Sequence, residues 1–88
     1  METTQYIVLS GDEQTADVER IVRKITLPNP VSISYRHVGG VSDTFIDPLI
    51  GTLERSGVKE IHTIFAESFH VDQLRRIALD HGLSVSEL

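Results

Sequence analysis

The chain has 88 residues, enough for one small domain near the lower limit at which an apolar core suffices by itself. Its hydrophobic fraction of 40% argues against a disordered segment, and the absence of cysteine excludes disulfides, thiolate catalysis and Cys-based zinc sites. A net charge of −5 disfavours a general nucleic-acid binder, and no apolar run approaches the roughly 18 residues of a membrane span.

The opening "METTQY" lacks the basic start and apolar stretch of a signal peptide, so a cytoplasmic protein is expected. "YIVL" (6–9) is a short continuous apolar run that suits a central strand. Ser10 and Glu13 have capping-box spacing, with Asp12 and Thr15 as alternative caps for the helix that follows. Val18, Ile21, Val22 and Ile25 recur at i, i+3, i+4 and i+7, one apolar stripe on a helix, which "LPNP" stops.

"VSISYR" alternates strictly, with Val31, Ile33 and Tyr35 on one face and Ser32, Ser34 and Arg36 on a wet one. A parallel sheet covered on both sides reads apolar throughout, so this strand implies helices on one side only, or an edge position. In "VSDTFIDPLIGTL" (41–53) two helix registers compete. Asp47 as cap puts Pro48 at the favoured first position. A cap at Asp43 or Thr44 instead makes Phe45, Ile46, Leu49, Ile50 and Leu53 one apolar face, and this register is preferred. Gly57 ends that helix; "IHTIFA" is a third strand; Val71, Leu74, Ile77 and Ala78 mark a third helix closed by Gly82. "LSVSEL" is a short last strand or simply packs the chain end.

The expected fold is therefore α/β: one domain over residues 1–88, a mostly parallel four-stranded sheet with helices packed mainly on one face and right-handed crossovers. Charge is uneven along it. Arg20, Arg23 and Lys24 fall at spacings of three and four, forming a possible basic patch whose plain role is a solvated helix face.

Ser42, Asp43, Thr44 and Asp47, at the strand-to-helix junction, are the candidate site. Capping explains at least one of them, because Ser, Thr and Asp accept from the unpartnered N–H groups of a first turn. The same end of a helix also attracts anions, and a hydroxyl there can carry a phosphate that a partner reads.

The stretch resembles the signature of STAS-like domains of unassigned function, relatives of anti-sigma-factor antagonists. In those a small-residue junction leads into a Phe, then an Asp, a Gly and a Leu, here Phe45, Asp47, Gly51 and Leu53. The resemblance implies a small α/β fold with helices on one sheet face, acting through protein–protein contacts without catalysis. In antagonists phosphorylation of a junction Ser switches partner binding. The matching position here is Asp43, which leaves Thr44 as acceptor or Asp43 as a permanent negative charge.

The other constellations are weaker. His37, His62, His70 and His81 have no metal-ligand spacing, there is no Gly-x-Ser-x-Gly elbow, and "SGDEQ" has one glycine where phosphate loops have several. Phe45, Phe65, Phe69, Tyr6 and Tyr35 read as core. The expectation is a non-enzymatic domain without cofactor or metal that binds a protein partner at residues 42–47, with a homodimer through open sheet edges also in view. A small α/β enzyme or a nucleotide- or phosphate-binding module at the same helix end is the alternative.

Overall fold

The computed structural model describes residues 5–24, 31–36 and 38–87. Ile25, the proline-bearing segment 27–30 and His37 lie outside the described residues. In chain order the elements are β1 (Gln5–Val8), a 3₁₀ turn (Thr15–Asp17) running into α1 (Val18–Arg23), β2 (Val31–Ser34), α2 (Asp43–Arg55), β3 (Glu60–Ile64), α3 (Ser68–His81) and β4 (Ser84–Glu87). The strands form one sheet in the order β1-β2-β3-β4, and every neighbouring pair is parallel.

Sequential parallel strands need crossovers, and crossovers of one hand all return over the same face. The helices accordingly form a single layer, α1 against α2 and α2 against α3. Ile7, Val31, Ile33, Tyr35 and Ile61 point from the sheet into the core beneath them. From above, α2 contributes Phe45, Ile46, Leu49, Ile50 and Leu53, the face the preferred register expects. Burying such a side chain is worth about 1.5–3 kcal/mol, so this helix is the largest single contributor to the core among the described elements. Val71, Leu74, Ile77 and Ala78 do the same for α3.

Three local expectations need correction. Ser10 and Glu13 do not start the helix. The Glu13 carboxylate instead accepts from the Ser10 and Gly11 N–H groups and the Ser10 hydroxyl, closing a turn two residues before the 3₁₀ segment. Desolvation, the largest single influence on Glu13, raises its carboxyl, but these donors together outweigh it and hold the group below its ordinary value.

Second, the serines of β2 are not wet: Ser32 and Ser34 are both buried. β2 is a central strand, and the register sets Ser32 between Tyr6 and His62, and Ser34 between Val8 and Ile64. Larger side chains on both sides shield the small ones, with no helix needed. Third, "YIVL" forms an edge strand and not a central one, and Tyr6 and Val8 stand exposed on the open face.

Pro48 lies inside α2. Having no N–H, it cannot bond the carbonyl four residues back, that of Thr44. The Thr15 hydroxyl, from the turn before α1, donates to that carbonyl at 2.9 Å. The freed acceptor thus becomes a tie between two helices. Gly57 and Gly82, both with positive φ, end α2 and α3, where Val58 and Leu83 N–H groups reach back to the Leu53 and Ala78 carbonyls. The last stretch is a strand, β4, on β3.

Candidate functional site

The junction is exposed and lies at the front of α2. Ser42 is the cap, one residue before Asp43 and two before Thr44, the caps expected in the preferred register: its Oγ accepts from the Thr44 N–H at 3.1 Å and lies 2.7 Å from the Thr44 hydroxyl. Phe45 and Ile46 N–H groups both turn to the Ser42 carbonyl. Asp43, in the first turn, is gripped from α3. Gln73 Nε2 donates to Oδ1 at 2.7 Å, and Arg76 Nη2 reaches both carboxylate oxygens at 3.0 and 2.9 Å. The Gln73 amide first, then Arg76, hold the Asp43 carboxyl below its ordinary range. Gln73 also donates to the Val41 carbonyl, so one amide ties the loop and the helix end together.

Asp47 lies one turn further on and faces His81 at the end of α3. His81 Nε2 is 3.0 Å from Asp47 Oδ1 and Nδ1 is 2.9 Å from Glu54 Oε1. Asp47 and Glu54 are seven apart, and Gly51 lies between them under the ring. A Cβ there would meet His81 Cε1 at 3.3 Å. This accounts for a glycine in the middle of a helix, where it costs about 1 kcal/mol against alanine. Hydrogen bonds to Asp47, then to Glu54, raise His81 above its ordinary value. With Pro48, Ile77 and Asp80, the residues Asp43, Thr44, Asp47 and Arg76 line a shallow groove of about 520 Å³ between α2 and α3.

The sequence reading assigned five aromatic residues to the core, and the structure divides them. Phe45 and Tyr35 are buried, but Phe65, Phe69 and Tyr6 are more than half exposed. Phe65 just follows β3 with φ at +57°, a left-handed conformation that a bulky residue rarely adopts, and the Arg36 guanidinium lies 5.3 Å from its ring centroid. Phe69 sits against His70 with 4.2 Å between ring centroids. Buried His70 accepts from the Glu67 N–H at Nδ1, so its Nε2 carries the proton and donates to the Gly39 carbonyl at 2.6 Å. His70 also stacks on Tyr35, whose phenol is pushed up by burial. A helix residue thereby pins the loop that leads to Ser42. The sequence reading ran the third strand through 61–66 and so took Phe65 for core, whereas β3 ends at Ile64 and Phe65 falls just past it.

The three residues of the possible basic patch divide between two surfaces. Arg20 pairs with Asp17 at 2.9 Å and, with Lys24, lines a cleft along β1. Arg23 is 4.0 Å from Glu19 and opens toward Thr52 of α2 and Ser56 just past its end. His62 lies beside Glu60 at 3.2 Å. Among the described residues no group of three His, Asp or Glu side chains is arranged to hold a metal ion, and no helix is long and apolar enough to cross a membrane. No family model, curated protein or solved structure matches the chain.

Proposed function

We propose that this chain is a non-catalytic, STAS-like interaction domain that binds a protein partner through the rim formed by Ser42–Asp47, Phe65 and Phe69. The observation that carries the reading is a pair of exposed phenylalanines at the sheet end where the ordered polar junction also lies, with Phe69 against the His70 ring that holds the junction loop at Gly39. Aromatic anchors within a polar rim are the composition of a protein interface, and anchors held rigid before binding lose little entropy on contact. Asp43, fixed by Gln73 and Arg76, supplies a standing negative charge where the resemblance implies a phosphorylated serine.

The anion-binding alternative has less support. The Thr44, Phe45 and Ile46 N–H groups are already taken by Ser42, and a carboxylate stands at the front of the helix. Strand order 1-2-3-4 has no point where the winding reverses, and such points are where open α/β sheets bind small ligands.

The test is quantitative affinity capture with the full chain as bait, comparing wild type with Thr44→Arg and Phe69→Ala, and with Asp72→Ala on α3 as control. A partner bound through the rim is lost at least about tenfold from both rim variants and retained by the control. Equal retention by all four baits sinks the reading. Amides of residues 43–45 that shift on titration with nucleotide or inorganic phosphate would favour the alternative.

A further inference from the structure

We propose that β1 is the seam of a homodimer, in which two copies join antiparallel through their β1 edges into one continuous sheet. β1 has the composition of a central strand and the position of an edge strand. Its outward side chains, Tyr6 and Val8, are 58% and 64% exposed, and the strand carries none of the lysines, prolines or bulges that normally protect an edge.

The backbone defines the open edge. Leu9 N–H donates to the Ser34 carbonyl, so in the parallel ladder the N–H and C=O of Leu9 and Ile7 turn toward β2. Those of Tyr6 and Val8 therefore turn outward, and among the described residues nothing bonds to them. The next outward donor, Ser10 N–H, is closed off by the Glu13 carboxylate at 2.6 Å. Among the described residues the open edge is thus two residues long.

A two-fold axis at Ile7 satisfies this edge with its own copy. Tyr6 then lies opposite Val8 of the partner subunit, and Val8 opposite Tyr6 of the partner subunit, each a hydrogen-bonded pair that uses the outward N–H and C=O groups. On the open face this register makes two aromatic–β-branched cross-strand pairs, a combination that stabilises antiparallel sheets.

Charge selects a second copy over a foreign strand. The cleft of about 390 Å³ along β1 carries Asp12, Glu13 and Asp17 near the carboxyl end of the strand. Because α1 runs back along β1, Arg20 follows and Lys24 lies toward the amino end. A two-fold axis sets the acidic end of each cleft beside the basic end of the other, so the surface is complementary to itself. The contact is small beside the roughly 800 Å² per partner of a stable interface, so the dimer forms and separates with concentration.

Sedimentation equilibrium over about 10 µM to 1 mM tests this. The apparent mass should rise from 9.8 kDa toward twice that value, and less so at high salt. Val8→Pro removes an outward N–H while sparing the bonds to β2, and should raise the dissociation constant at least about tenfold. The register is tested in a chain that has no cysteine of its own. Tyr6→Cys and Val8→Cys chains, mixed and oxidised, should cross-link faster than either alone, because hydrogen-bonded antiparallel pairs lie within disulfide reach. This second arm holds even if Val8→Pro fails to fold. A chain monomeric at every concentration overturns the proposal, as does a dimer that keeps its affinity in Val8→Pro and forms no mixed cross-link. An edge that takes up only an extended peptide of another protein overturns it too.

Discussion

His81 stands over Gly51 with a carboxylate at each ring nitrogen. A neutral imidazole has one N–H and serves one carboxylate; the imidazolium serves both, so folding favours the charged ring. Because the folded value is raised, the stabilisation is fully present below the unfolded histidine value of about 6.5. It drains as pH rises through the higher folded value. Urea denaturation of wild type and His81→Gln across about pH 5–9 should therefore show a stability difference that is largest at the acid end and shrinks toward the alkaline end. A difference that stays flat, or grows with pH, would mean the ring does not hold both partners in solution.

Among the elements, α2 organises the rest, and two of its features can be separated by mutation. Its proline frees the Thr44 carbonyl, which Thr15 then fills. Thr15→Val should cost about 0.5–1.5 kcal/mol by removing that donor, and Thr15→Ser should restore most of it. Its apolar stripe ends at Leu53, which is fully buried. Leu53→Ala should cost about 2–5 kcal/mol in the same denaturation experiment; a loss under about 0.5 kcal/mol would contradict that burial. The two losses differ because one unmakes a single exposed hydrogen bond and the other opens a cavity.

For the whole molecule, a singly wound sheet leaves one face bare and two edges open, and both proposals follow from that topology. The partner rim lies at the carboxyl ends of the inner strands, and the dimer seam runs along β1. Being separate, they can fail separately: Val8→Pro should leave capture by the rim unchanged, and Thr44→Arg should leave the mass profile unchanged.

Helices, strands and their apolar faces were legible because periodicity is local, a few neighbours at fixed spacing around one axis. The stripe from Phe45 to Leu53 and the stops at Gly57 and Gly82 needed no more than that. The candidate site was legible as a polar cluster but not as a structure. What Asp43 and Asp47 touch lies 30 to 34 residues away on α3, and no local pattern pairs an aspartate with one particular Gln, Arg or His. The edge position of β1, the shielding of Ser32 and the exposure of Phe65 belong to the same class. Composition chose which residues seek burial. Only the order in which the strands came together decided which of them found a neighbour, because hydrogen bonding across a sheet satisfies each strand from outside its own segment.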